Sequence, residues 1–219
     1  MGQEIDLLKN YPKTKRDLSN REKSKTEEAR KIAREFGKDF FDGERKYGYG
    51  GFNYSPKFWS KAVEDIANYY SLKDGSKILD VGCAKGFMLY DFFNLKRNFD
   101  LHGIDISAYA IENSIKELKP NLKVANATKL PYKDNQFDLV ISINTIHNLD
   151  KDNCAHSLKE ISRVSKGNAF VTVDAYRNEE EKKRMYAWNL TAKTIMSVND
   201  WKIFFNNNSY KGDFFWFIP

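Results

Sequence analysis

Apolar and polar positions change texture twice along this chain of 219 residues. Residues 1–22 are polar and without clear period, which predicts an irregular arm. From Ser24 a helical spacing begins: Ala29, Ile32, Ala33, Phe36 and Phe40 share one face, and Ser24 with Glu27 has the spacing of a capping box. Gly37 loosens the end of that helix. Pro56 suits the first turn of a second helix, whose Phe58, Trp59, Ala62, Val63, Ile66, Ala67 and Tyr70 form one stripe. After "KDGS" short apolar runs take over: "KILDVG", "LHGIDI", "LKVANA", "FDLVISIN" and "AFVTVDA". Helices are expected between them over 86–95, 108–119 and 153–165. Such alternation predicts an α/β architecture, a doubly wound and mostly parallel sheet covered by helices on both faces. The expected division is an N-terminal arm and helical lid over 1–72 and a main domain over 73–219. After "NDWKIFFNN" only "GDFFWFIP" offers a final strand, so six strands are expected, or one more that is very short.

Composition narrows the class. With 41% hydrophobic and 30% charged residues the chain reads as globular rather than disordered or fibrous. Two cysteines are too few for a disulfide framework or a thiolate metal site, and the three histidines lack ligand spacing, so no metal is expected. No apolar run approaches the roughly 18 residues of a membrane span. The start lacks the basic-then-apolar order of a signal peptide, which makes the cytoplasm the expected address and a membrane partner unexpected. A net charge of +6 admits nucleic acid, but the cations are interleaved with acids, as in "NREKSKTEEARKIAREFGKD". A small-molecule acceptor therefore ranks above a nucleic acid.

The sharpest stretch is "KILDVGCAKGFMLYDFF": a buried run, a turn of small residues at Gly82, Ala84 and Gly86, then a helix. A dinucleotide fingerprint counted from Gly82 would put Phe87 at its third glycine, where close helix packing is needed, so that reading fails. The stretch resembles the first motif of the class I S-adenosylmethionine-dependent methyltransferases, with acidic Asp80 ahead of the turn and alanine at the usual middle glycine. A purely structural strand-to-helix turn would look alike.

Three further segments follow in that family's order. "LHGIDIS" ends with Asp105, which can accept both ribose hydroxyls or, alternatively, cap the next helix; Ser107 can fill the capping role instead. "VANATKLPYKDNQFDLVIS" looks like the family's third and fourth strand signature. The resemblance, over roughly 75–175, implies the Rossmann-like methyltransferase fold and S-adenosyl-L-methionine as cofactor. The implied cofactor contacts are Asp80, Gly82, Cys83, Ala84, Gly86, Asp105, Ile106, Asn126, Ala127 and Ile143. Asn126 stands where aspartate is usual, and an amide both donates and accepts.

Methyl transfer from a sulfonium needs alignment above all, and a base only where the acceptor must lose a proton. His147 is the candidate base, since its ordinary pKa of about 6.5 suits proton acceptance; Asn144 would orient the acceptor. Both also suit plain structural roles. Asp174, Tyr176 and Arg177 emerge from the next strand, and Arg177 can hold an anionic acceptor or simply pair with the acids of "NEEE". "RKYGYGGFNYSPKFW" is read as an active-site cover, with Tyr47, Tyr49 and Tyr54 shielding the reaction and Arg45 meeting an anion, or as aromatic packing. The expected activity is methylation of O or N on a small polar metabolite, anionic or not, a sugar or surface-glycan intermediate by preference. The alternatives are an RNA or protein methyltransferase and a catalytically silent cofactor-binding protein.

Overall fold

A computed structural model describes residues 2–13 and 16–219. Seven strands, β1 (Lys77–Val81), β2 (Asp100–Asp105), β3 (Leu122–Val124), β4 (Leu139–Ile143), β5 (Ala169–Tyr176), β6 (Met196–Ser197) and β7 (Asp213–Phe217), make one sheet. Its order is β3-β2-β1-β4-β5-β6, with β7 also on β5, and every strand pairing is parallel. The chain leaves β1 toward β2 and β3, then returns to β1's other side as β4. That reversal opens a crevice at the carboxyl ends of β1 and β4. The extra strand admitted by the sequence is β6, two residues long.

Parallel strands covered on both faces read as continuous apolar runs, and Ile78, Leu79 and Val81 of β1 are all fully buried. One face carries α4 (Pro56–Tyr69) and α5 (Phe87–Asn94), whose Val63, Ile66, Leu89 and Phe92 pack with Ile78 and Ile141. The other carries α7 (Lys151–Val164) and α9 (Val198–Asn207), through Leu158, Ile161, Trp201 and Phe205. Side chains of this class stabilise by roughly 1.5–3 kcal/mol each when fully buried. The remaining helices are α1 (Leu18–Ser24), α2 (Glu27–Arg34), α3 (Lys38–Asp42), α6 (Ala108–Glu112) and α8 (Glu179–Trp188).

Three local expectations are corrected. The arm over 1–22 is not irregular throughout: Glu4 bridges Phe214 alongside β7, and α1 begins at Leu18 with Asp17 accepting the Asn20 amide. Ser24 ends α1, and the cap of α2 is Thr26, whose hydroxyl accepts the Ala29 amide. Helix 108–119 stops at Glu112. The Ile115 amide bonds the Lys85 carbonyl instead of continuing the helix, and Pro120 in the following 3-10 turn has no amide to give.

Candidate active site

The turn after β1 holds three left-handed residues, Gly82 (φ 90°), Ala84 (φ 49°) and Gly86 (φ 82°). The two glycines answer to different neighbours. A Cβ on Gly82 would lie 2.1 Å from the Thr145 hydroxyl, so the space before it belongs to the loop after β4; one on Gly86 would press Leu122 at 3.1 Å, where α5 approaches the sheet. Ala84 in this conformation costs some strain, and its amide is fixed by donating to Asp105 Oδ2 at 2.8 Å.

Asp105 Oδ1 accepts the Ser107 amide at 2.8 Å, while Ser107 Oγ accepts the Ala110 amide and caps α6. One carboxylate thus ties together the turns after β1 and β2. Behind it sits Asp80, 4% exposed, whose carboxylate has no hydrogen-bond partner among the described residues. Burial, then the neighbouring Asp105, pushes the Asp80 carboxyl up to about 8. Asp105 is also raised by burial, against the pull of the amides it accepts. Beside the two acids Ile106 stands 55% exposed, an apolar plate at the end of β2. Asn126 lies exposed beyond β3, its Oδ1 accepting from the Thr128 amide and hydroxyl, and Ala127 is half-buried. Cys83 is buried against Gly103, its thiol pushed well up by burial. A buried carboxyl without a hydrogen-bond partner beside an exposed apolar side chain is a set of groups that fits an ammonium-bearing nucleoside such as S-adenosylmethionine.

The N-terminal segment lies across this turn. Lys85 Nζ donates to Asp42 and to the Phe52 carbonyl, Tyr109 donates to the other oxygen of Asp42, and Ser107 Oγ donates to the Phe36 carbonyl. The aromatic loop is anchored at two places. Tyr54 donates to Asp91 at 2.9 Å and packs on Phe87 and Tyr90 of α5. Tyr49 accepts the amides of Leu190 at 2.7 Å and Thr191 at 3.3 Å. Tyr47 is half-buried under the Lys46 ammonium. Arg21 of α1, unnoticed in the sequence, is 6% exposed and donates to the carbonyls of Trp188, Arg45 and Gly48.

At the other end of the crevice, Ile143 closes β4 half-buried, and Asn144 (φ 51°) accepts the Thr172 hydroxyl at 2.9 Å. His147 is not the free base expected. Its Nδ1 accepts the Asp174 amide at 3.0 Å and its Nε2 lies 3.6 Å from Asp174 Oδ1. Burial lowers the histidine and raises the aspartate, so both drift toward their neutral forms and the contact is not a strong ion pair. Asn189 Nδ2 donates to Asp174 Oδ2 at 3.0 Å, and Trp201 donates to its carbonyl at 2.9 Å. Arg177 does not face this cluster: it pairs with Glu181 at 3.3 Å with a side chain 52% exposed. Tyr176 is half-buried beneath Lys182. Asn189 and Lys85 went unremarked as candidates, although Lys85 lies inside the stretch "KILDVGCAKGFMLYDFF".

A sheet wound this way, with acids on its first two strands, is the arrangement expected of the class I methyltransferases. The chain belongs to that S-adenosylmethionine-dependent family, its residues 72–209 matching the family model described as a methyltransferase domain. Its cofactor is S-adenosyl-L-methionine and it is a methyltransferase. It is 28% identical over 185 residues to an uncharacterised protein of Methanocaldococcus jannaschii, spanning 79% of this chain and 78% of that protein. It is 36% identical over 99 residues to phosphoethanolamine N-methyltransferase of Triticum aestivum, spanning 42% of this chain and 19% of the relative. A tRNA (carboxymethyluridine(34)-5-O)-methyltransferase of Arabidopsis thaliana is 32% identical over 130 residues, 59% of this chain and 31% of that protein. In fold it resembles phosphoethanolamine N-methyltransferase 2 of Haemonchus contortus, solved with phosphomonomethylethanolamine and S-adenosylhomocysteine, at a TM-score of 0.58 and 16% identity, covering 80% of this chain and 44% of that one. The chain thus spans under a third of the two named plant enzymes. Among the described residues no helix is long and apolar enough to cross a membrane, and no group of His, Cys, Asp or Glu is placed to hold a metal ion.

Proposed function

We propose that this chain transfers the methyl group to an N or O atom of a small polar acceptor bearing negative charge. One contrast carries the reading: the cofactor end of the crevice is acidic, with Asp80 and Asp105, while its roof brings Arg21 and Arg45 to one loop. The cofactor supplies an electrophilic methyl on a sulfonium. Asp80 and Asp105 hold it by its ammonium and ribose, and the segment 36–54, fastened through Asp42, keeps water from the reacting atoms. Asn144, fixed by Thr172, aligns the acceptor. His147 accepts the Asp174 amide and flanks its carboxylate, and Asp174, made a stronger base by burial, takes in its ionised form the proton that a hydroxyl or ammonium gives up. A phosphorylated sugar or glycan intermediate falls within this acceptor class.

Methyl transfer from labelled S-adenosylmethionine to a panel of anionic and uncharged small acceptors tests the reading. Turnover confined to anionic acceptors, falling as the pH drops and Asp174 protonates, is expected. Turnover on RNA alone would replace it, a reading that the similarity to the tRNA enzyme keeps in view. Tight S-adenosylhomocysteine binding without turnover on any acceptor would make the chain a binding protein.

A further inference from the structure

A cleft of about 750 Å³ opens between α1, the aromatic loop and the end of α8, lined by Arg16, Arg21, Lys23, Arg45, Lys46 and Trp188, with Asp17, Asn20 and Ser24. Five of these side chains are cationic and one is acidic, and the Asp17 oxygens are both occupied by Asn20. Three guanidinium groups crowd the Trp188 ring, Arg16 at 5.2 Å, Arg21 at 5.4 Å and Arg45 at 5.7 Å from its centroid. Like charges so close repel, and among the described residues no carboxylate pairs with any of the three.

Neighbouring cations are accounted for differently. Lys25, Arg30 and Arg34 all donate to carbonyls between Tyr186 and Ala192, which satisfies the end of α8 and the irregular segment that leaves it. Arg16 makes no hydrogen bond among the described residues. Its half-buried guanidinium lies over the rings of Trp188 and Phe217, the latter at 4.6 Å, with its planar fork of donors unused. Burial lowers the pKa of Arg16, Arg21 and Arg45 alike, the mark of charges short of counter-ions. The cleft also neighbours the transfer end, since the lining residue Trp188 adjoins Asn189, which donates to Asp174 Oδ2 at 3.0 Å.

We propose that Arg16, Arg21 and Arg45, gathered round Trp188, bind the phosphate group of a phosphomonoester acceptor. A tetrahedral dianion with three accepting oxygens matches several guanidinium forks far better than a lone carboxylate does. Trp188 and Phe217 orient Arg16, and Arg21 is fixed by its three carbonyls, so the site is formed before the ligand arrives. This inference rests on the anionic-acceptor reading and locates the anion.

Calorimetric titration of the full chain, saturated with S-adenosylhomocysteine, tests it with three probes: O-phosphoethanolamine, inorganic phosphate and ethanolamine. Both phosphate-bearing probes should bind and ethanolamine should not. Arg16→Gln and Arg45→Gln should each weaken the phosphate probes by about tenfold or more, as loss of a charged hydrogen bond does. Affinity for S-adenosylhomocysteine should stay unchanged, which also shows that the variants fold. Absent phosphate binding, or full affinity in both variants, overturns the site. A single-stranded RNA that binds where phosphate does not, with a steep salt dependence, overturns it in favour of a nucleic acid. Arginine-dependent phosphate binding without methylation of any phosphorylated compound would leave the site standing and sink the functional reading. Methylation with an unchanged KM in both variants would do the reverse.

Discussion

Asp105 accepts the backbone amide of Ala84 at 2.8 Å across the gap between two strand ends. The acid expected to meet the ribose is therefore also what shapes the turn. Asp105→Asn replaces one accepting oxygen by a donor that faces an amide, either that of Ala84 or that of Ser107. Cofactor affinity should fall by on the order of 1.5–3 kcal/mol, with a lower melting temperature alongside. Calorimetry with S-adenosylhomocysteine checks the first and thermal denaturation the second; an unchanged melting point would mean the turn holds without it.

Asp80 gives the protein a pH signature. Its carboxyl moves from 3.8 to about 8 on folding, through burial and then Asp105. A group whose pKa is raised in the folded state favours the fold fully below 3.8, and that contribution is lost as the pH rises through about 8. A bound ammonium wants the ionised form, so cofactor binding below that pH should release a proton. Titrations in buffers of different ionisation enthalpy should show the release near neutral pH and its disappearance above about 8. Asp80→Asn should abolish it, and a wild-type enthalpy independent of buffer would refute the assignment.

Gly82 is constrained twice, by φ of 90° and by Thr145 at 2.1 Å from any added Cβ. Gly82→Ala should destabilise by about 1–3 kcal/mol from the backbone alone and about 1–3 kcal/mol more from the clash. Adding Thr145→Gly should recover the second part and not the first. Denaturant melts of the two single variants and the double variant would separate these. Full recovery in the double variant would mean that the backbone is unstrained.

The two anchors of the aromatic loop should behave differently. Tyr49→Phe deprives the Leu190 and Thr191 amides of their acceptor, at about 1 kcal/mol or more. Hydrogen exchange should quicken at 188–191 and turnover should drop. Tyr54→Phe loosens the loop from Asp91 on α5, which bears on stability more than rate. Equal loss of turnover in both variants would show that the loop acts as one body.

The sheet could be read in the sequence because its strands are buried on both faces, so "KILDV" and "AFVTV" announce themselves as unbroken apolar runs. The turns that follow were found for the same reason, since small residues interrupt those runs. Contacts distant in sequence were hidden. Nothing near Ile115 says that its amide will bond Lys85, and Ser24 had the spacing of a cap until α1 claimed it. Interleaved charge also misled. Arg177 took the plain option and paired with Glu181, yet Arg21, in an equally mixed stretch, is buried against carbonyls because a distant helix ends beside it. His147 looked available only because its partner, Asp174, lies on a strand 27 residues away.

Glu4 accepts the Trp216 indole N–H at 2.7 Å, 212 residues along the chain, and the amides of Ile5 and Phe214 join the same seam. During synthesis the turn around Gly82 and its companions can assemble while this seam still waits for β7. Arg16, a few residues further on, is held against Phe217 of that late strand. Closing so wide a loop is entropically slow. The half of the site that would hold the cofactor can therefore form first, and the half that would choose the acceptor is completed only once β7 has been made.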